Sequence, residues 1–381
     1  VTRHTILIET PEALSQALQG WLKEPSLGVD TESNSFFVYR ERTCLVQVSS
    51  AEMDWIIDPF AVDITPLGEL LSSPSVEKIF HACEFDVLSL KRDYRFTFAN
   101  IFDTMIAAKA VGHRKVGLAN LAEELLSVKL AKDEQRSDWG KRPLSKEQLD
   151  YAFADTRHLI ALAAVLKEKV RAAGDFVTRE VEIDCQRMTE KEPRPREVDP
   201  EAFERNKLAR KMEPISRQIL KSLYDAREAR ARELDKPPFR IVNDDAMAEI
   251  AVRRPHAISE LTKIVGITPG LAARHGDLLL NAVRLGQEIG PLPFQRRPVV
   301  LPDPAEEGRF ENLRAWRRAV ADARGVEVEV ITSNAALKTL AKVNPTSREG
   351  LQATGALDPL RSERYADGIL EALRRPIPGV A

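Results

Sequence analysis

Long apolar runs are missing from this 381-residue chain: none approaches the roughly 20 residues a helix needs to cross a bilayer, which excludes a membrane-spanning helix. The opening stretch VTRHTILIETPEAL has no basic start followed by an apolar core, so the expectation is a cytoplasmic protein with no membrane partner. Cysteine is scarce. Cys44, Cys83 and Cys185 are odd in number, far apart and form no C-x-x-C pair, which sets aside a disulfide framework and a cysteine metal site and leaves three reduced fillers. None of the six histidines has ligand spacing, which argues against zinc, and no segment resembles an activated serine or cysteine nucleophile. Proline and glycine are scattered, so no long disordered tract is expected.

What is present is enough sequence for more than one core, with 43% hydrophobic and 30% charged residues, ordinary values for a folded globular protein. The formal net charge of -2 hides an asymmetry: residues 1–202 hold 26 Lys and Arg against 34 Asp and Glu, and residues 203–381 hold 30 against 24. An acidic half suits the holding of cations and a basic half the holding of polyanions; two unrelated surfaces would account for the numbers equally well.

TILIE and SLGVDTE read as strands separated by the amphipathic EALSQALQGWL. RTCLVQVSS, DWIIDPF and VEKIFHA follow, giving five strands and one mixed sheet. From EFDVLSLKRDY the period turns helical, through FDTMIAAKAVG and GLANLAEELLSV to one long helix in SKEQLDYAFADTRHLIALAAVLKEKVRAAG, opened by a Ser145/Gln148 capping box. Sheet first and helices after describes an α/β domain. KEPRPREVDP is a linker composition placing a boundary near residue 195, and a similar stretch at 289–307 divides the remainder into two all-helical segments without a strict repeat.

The strand SLGVDTE ends on acids. Asp30 and Glu32, two apart, aim their carboxylates at one face of the sheet while Thr31 points to the other. Charges so close need solvent, hydrogen bonds, a shared proton or a cation, and D-x-E alone reads first as the polar end of a strand, its acids capping a loop. Asp86, in HACEFDVLSL, lies one turn into a helix just past a strand, where it either caps that helix or joins the groups that α/β sheets collect at strand ends; Phe85 and Leu88 are expected to face the core. Tyr151 and Asp155 are four apart on one helix face, with Asp150 pointing elsewhere. Arg157 offers a plain neutralising partner for Asp155. Against that, four acids on separate elements, each beside apolar sequence, fit an oxygen-ligand site for a hard cation, Mg²⁺ or Mn²⁺.

Asp30-x-Glu32, the HACEFD segment ending in Asp86, and Tyr151-x-x-x-Asp155 resemble the three exonuclease motifs of the DEDD superfamily in its tyrosine-bearing branch. FANIFDTMIAAKAVG and SDWGKRPLSKEQLDYAFADTRHL are similar to the ribonuclease D family and its exosome-associated eukaryotic relatives. The helical segment beginning PISRQILKSLYDAREARARELDK resembles an HRDC domain, and residues from about 308 to 375 resemble a divergent copy. One departure is Ala82-Cys83, where many exonucleases of the superfamily carry an asparagine after the histidine.

The resemblance implies an α/β exonuclease domain with a ribonuclease H-like mixed sheet flanked by helices over residues 1–195, then two all-α HRDC-type domains over 203–290 and 306–376. It implies two divalent ions held by Asp30, Glu32, Asp86 and Asp155, and Tyr151 orienting the attacking water. The expected enzyme is a monomeric 3′-5′ exoribonuclease that releases 5′-mononucleotides from RNA with a free 3′ end, tRNA precursors and other small structured RNAs among them. A DNA 3′-5′ exonuclease and a catalytically weak nucleic-acid-binding protein are the alternatives. His81 and His158 are read as hydrogen-bonded structural residues. Phe36, Phe37 and Tyr39 are candidates for base stacking or for core packing. In residues 203–240 eleven Lys and Arg face six Asp and Glu, either a phosphate-binding surface or a self-paired helix face.

Overall fold

The computed structural model describes residues 3–131, 134–194, 197–294 and 303–377. Much of the expected linker at 289–307, and Pro195 and Arg196 of the first linker, lie outside the described residues. Among those described, six strands form one mixed sheet: β1 (His4–Ile8), β2 (Ser26–Ser33), β3 (Thr43–Ser49), β4 (Met53–Ile57), β5 (Glu77–Phe80) and β6 (Ile101–Asp103), in the order β1-β4-β3-β2-β5-β6. The pairs β2/β3 and β3/β4 are antiparallel, and β1/β4, β2/β5 and β5/β6 are parallel. β6 falls in sequence that reads as helix. Its three residues are too few to show a period of two, and Asp103 both ends the strand and caps the helix that follows.

The helices of this part are α1 (Pro11–Trp21), α2 (Leu67–Ser72), α3 (Glu84–Tyr94), α4 (Thr104–Ala110), α5 (Leu118–Leu126), α6 (Lys146–Arg157), α7 (Leu159–Ala172) and α8 (Asp175–Glu190). α6 opens on the expected capping box, Ser145 receiving the Gln148 N–H while the Gln148 side chain receives that of Ser145. The long helix of the sequence reading is in fact two, broken at His158. Two anchors to the sheet hold α6 just before the break: Thr156 Oγ1 lies 2.6 Å from Ser49 Oγ, and Arg157 Nε donates to Asp54 Oδ2 at 2.7 Å.

The parity of β2 sorts its residues. Leu27 and Val29 point into the large apolar core with Leu14, Trp21, Phe80 and Val87. Gly28 faces α6 and α7 instead, so closely that a Cβ there would lie 2.8 Å from the Thr156 carbonyl oxygen and 3.2 Å from Leu159 Cβ. Only glycine lets the strand and the end of α6 approach so closely.

Two helical units follow. The first has α9 (Pro214–Glu233), α10 (Pro238–Ile241), α11 (Asp244–Arg253), α12 (Ile258–Leu261) and α13 (Pro269–Ile289); the second has α14 (Pro304–Arg324), α15 (Val328–Ile331), α16 (Asn334–Val343), α17 (Arg348–Ala353) and α18 (Pro359–Arg374). Each has its own apolar core. The duplication that sequence comparison leaves faint is plain in the side chains. Arg227 Nη1 donates to the Val242 carbonyl at 3.1 Å and to Asp244 at 2.6 Å, and Arg317 repeats the motif on the Thr332 carbonyl and Asn334 at 2.8 and 2.7 Å. α11 and α16 are capped by Asn243 and Ser333, and both end on left-handed residues, Arg254 and Asn344.

Both units dock on the sheet domain. Tyr39, in the loop after β2, is buried with Ala231 and Ile241, and its hydroxyl donates to Glu228. Asp235 accepts from the backbone N–H of Tyr39 and Arg40 at 3.2 and 3.1 Å, and Arg240 Nε donates to the Phe36 carbonyl at 3.2 Å. The second unit sits on α8, where the fully buried Glu180 receives Arg324 at 2.6 and 3.1 Å and lies 3.2 Å from Arg361, which also holds Asp184 at 2.7 Å.

Candidate active site

β2 outruns its neighbour. β5 pairs with it only as far as Gly28, while β3 continues alongside to Ser33, so Asp30 and Glu32 stand where one edge of the strand is open. Both share the face of Gly28, towards α6. From α6, Asp155 brings its carboxylate to them, and one oxygen from each of Asp30, Glu32 and Asp155 lies within 4.8 Å of the others. Asp86 stands beside this trio rather than in it. Its α3 starts just beyond β5, on the other face of the sheet, and its Oδ1 accepts from Thr31 Oγ1 at 2.5 Å. The residue between the two acids, pointing away from them, thus fixes the third, whose charge still raises the proton affinities of Asp30 and Glu32.

Asp86 does not cap α3, and Phe85 is exposed rather than in the core, which Val87 and Leu90 occupy. The N-terminus of α3 is held from outside. Buried Asp103 accepts from the Ala82 and Cys83 N–H groups at 3.1 and 2.8 Å while capping α4 through Met105 and Ile106. Ala82 has φ 61°, a left-handed conformation that asparagine adopts more easily than alanine, which gives the family's asparagine at this turn a conformational reason.

Electrostatics follow from the crowding. Among the described residues, none of the four acids forms an ion pair with a base; Arg157, the candidate partner for Asp155, is engaged by Asp54 instead. Burial, then the charges of Asp155 and Asp86, push Glu32 up to about 9. Burial lifts Asp155 to about 7, against the lowering effect of the Tyr151 hydroxyl, and lifts Asp86 to about 6 despite the bond from Thr31. Asp30 is raised well above the carboxylate range by burial and then by Asp86, Asp155 and Glu32. Tyr151 shares the Asp155 face of α6, and burial followed by the acids drives its hydroxyl well above the usual phenol range. Its ring packs 6.0 Å from that of Trp139. Asp150 is exposed.

Several contributors give no sequence signal. Gln47 pairs with Asp30 across the β2/β3 ladder and so shares its face; it has no exposed surface, and neither its Oε1 nor its Nε2 finds a partner among the described residues. Asp54, wholly buried, collects Arg3, Ser49 and Arg157 at 2.8, 2.8 and 2.7 Å and so holds the chain just after Asp155. His81 bonds Thr104 at 2.8 Å, as a structural residue does. Tyr39 is committed to packing and Phe37 lies under Arg240, which leaves Phe36, 52% exposed, as the accessible aromatic of that loop. The arginines of 203–240 are mostly paired within their own unit: Arg217 with Glu204, Arg227 with Asp244 and Arg230 with Glu233.

The donor set is all oxygen, carries four potential negative charges without a basic counter-charge, and has an unpaired buried amide at its edge. A hard divalent cation fits those residues; zinc, which prefers nitrogen and sulfur, does not.

Comparison with known proteins agrees. A 3′-5′ exonuclease family matches residues 5–171, and the HRDC domain family matches 216–283 and again 306–373. Ribonuclease D of Pseudomonas paraeruginosa is 30% identical over 375 residues, 96% of each chain, and that of Sphingobium indicum 35% identical over 270 residues, 69% of this chain and 68% of the relative. Among solved structures, Escherichia coli RNase D, described as an exoribonuclease involved in structured RNA processing, superposes with a TM-score of 0.67 at 25% identity over 97% of this chain and 99% of the other. The catalytic core of RRP6 from Trypanosoma brucei gives 0.69 at 25% identity over 76% and 81%.

Proposed function

The chain belongs to the ribonuclease D family of 3′-5′ exoribonucleases, and we propose that it trims the 3′ ends of tRNA precursors and other small structured RNAs by two-metal phosphodiester hydrolysis, releasing 5′-mononucleotides. The observation that carries the mechanism is the meeting of Asp30, Glu32 and Asp155 within 4.8 Å with no base to neutralise them. These three would bind the ions, and Asp86, oriented by Thr31, would complete the set. Magnesium or manganese bound there supplies the positive charge that an anionic phosphodiester needs under attack, and lowers the pKa of the attacking water.

The chain's own part is to hold these carboxylates together against their mutual repulsion and to orient the water. Tyr151 suits the second task. One helical turn from Asp155, its hydroxyl is placed to orient that water at Oη. We assign residues 1–195 to the nuclease and 203–290 and 306–376 to the two HRDC units; the family matches fall inside those limits. We take the enzyme to act as a cytoplasmic monomer. RNA is preferred to DNA as substrate on the strength of the ribonuclease D relatives.

The test is digestion of a 3′-extended tRNA beside the same RNA with a blocked 3′ end, with Mg²⁺ and with chelator. Stepwise shortening of the open substrate alone, abolished by chelator, is expected. Asp155→Asn should remove digestion by at least about 10³-fold while leaving RNA affinity within a few-fold. Full activity in that variant, or faster cutting of a matched DNA, would overturn the reading.

A further inference from the structure

We propose that a crevice adjoining the acidic cluster is the subsite for a ribonucleotide on the 5′ side of the bond being cut, held by Asn34, Arg42 and Lys141 and sensed at its 2′-hydroxyl by Asp138. The inference rests on the exoribonuclease reading above. The crevice has a volume of about 440 Å³ and is lined by these four residues together with Phe37 and Phe60 among others. That is the small end of the range of about 300–1,000 Å³ found for small-molecule sites, room for one nucleotide rather than several.

Its place in the chain ties it to the cutting site. Asn34 is the second residue after Glu32. Asp138 and Lys141 flank Trp139, whose ring packs against Tyr151. An RNA strand with its end at the acids therefore has this crevice as a neighbouring cavity on the Tyr151 side.

The chemistry of the walls is that of a nucleotide site. Asn34 is only 4% exposed, and its Oδ1 accepts the Arg42 N–H at 3.0 Å, which fixes the amide. Its Nδ2 makes no hydrogen bond among the described residues and is not enclosed, so it is a donor open to a ligand in the crevice. Residue 140 is glycine where a Cβ would come within 3.0 Å of that Nδ2, so the donor's space is kept open. Lys141 is exposed and forms no ion pair among the described residues. Arg42 reaches Asp235 only at 4.0 Å, with both side chains about half exposed, a weak competitor for a phosphate. Its guanidinium lies 5.8 Å from the Phe60 ring centre, next to an aromatic surface that is 44% exposed. The acids of the cutting site repel a polyanion, so these cations are placed where the substrate backbone needs attraction. Asp138 supplies the acceptor: one oxygen receives the Gly140 N–H at 3.2 Å, and a carboxylate has further lone pairs for a ribose hydroxyl.

The experiment compares two substrates in the intact chain with Mg²⁺: uridine 5′-(p-nitrophenyl phosphate), which puts uridine in the cutting position and only a nitrophenyl group, with no ribose or further phosphate, on the 5′ side, and an RNA hexamer. The ratio of hexamer KM to ester KM is expected to rise about tenfold in Lys141→Ala and in Asn34→Ala, the size of one charge-assisted or otherwise unreplaced hydrogen bond. Single 2′-deoxy substitutions are then walked through the hexamer. One upstream position should cost wild type several-fold, and Asp138→Asn should lose most of that discrimination. Lys141 is on the surface, so its variant does not threaten the fold. An unchanged ratio in both variants, with wild type active on both substrates, overturns the crevice assignment and leaves the nuclease reading intact. Wild type inactive on both substrates overturns the nuclease reading, and this proposal with it.

Discussion

Burial pushes Glu32, Asp155 and Asp86 up to about 9, 7 and 6, well above the values near 4 of free carboxyls, and for Glu32 the charges of Asp155 and Asp86 add to it. The sign of the stability effect follows from proton counts. Between about pH 4 and 9 these carboxyls bind more protons in the folded, metal-free chain than in the unfolded one, so their contribution to stability falls as pH rises through that window. A divalent ion reverses this by replacing the protons. Mg²⁺ should therefore raise the melting temperature more at pH 8.5 than at pH 6, with protons released on binding. Differential scanning calorimetry at the two pH values checks it, and an equal shift at both would show that these carboxylates are not the ligands. Gln47 adds a further local cost, a buried amide with no partner among the described residues, on the face of the sheet that carries Asp30.

α6 shows what elements add to residues. Its C-terminal turn is pinned by Asp54 through Arg157 and Ser49, so the position of Asp155 depends on a carboxylate two strands away from Asp30 in the sheet. Asp54→Asn should raise the Mg²⁺ concentration giving half-maximal rate by several-fold, with a stability loss on the order of 2 kcal/mol. That loss is less than for a fully enclosed pair, because the two arginines keep 22% and 32% of their side-chain surface. Arg3→Ala removes a partner of Asp54 that makes no bond to α6 and should lose stability without moving the metal requirement. If both variants shift it alike, Asp54 serves only the fold. The Asp30/Glu32 pair and the Tyr151/Asp155 couple were legible in sequence because periods of two and four are local rules. The break at His158 and the brief β6 were not, since both are set by contacts across the sheet. Nor could spacing show that Asp86 would arrive from the opposite face, tied to Thr31, or that the basic run of 203–240 would spend its arginines on its own acids.

At the scale of the whole molecule, the two HRDC units are attached by different physics. The second depends on charge: Glu180, with no exposed surface, faces Arg324 and Arg361. Glu180→Ala leaves Arg324 without an acidic partner among the described residues, while Arg361 keeps Asp184 and Asp358, and should weaken the docking by on the order of 3 kcal/mol. Small-angle scattering should then show a more extended molecule with activity on a short RNA unaltered; an unexpanded envelope would mean that the remaining pairs of Asp184 with Arg361 and Arg187 with Asp358, and the contact of Phe176 with Tyr365, hold the seam without Glu180. The first unit is attached through the loop at 34–42, which packs Tyr39 against Ala231 and Ile241 while Asn34, Phe37 and Arg42 line the crevice. A chimaera that exchanges this unit between relatives would therefore inherit a mismatched seat unless the loop travels with it. The unit that looks most modular along the polypeptide is, by its contacts, co-author of the nuclease's entrance.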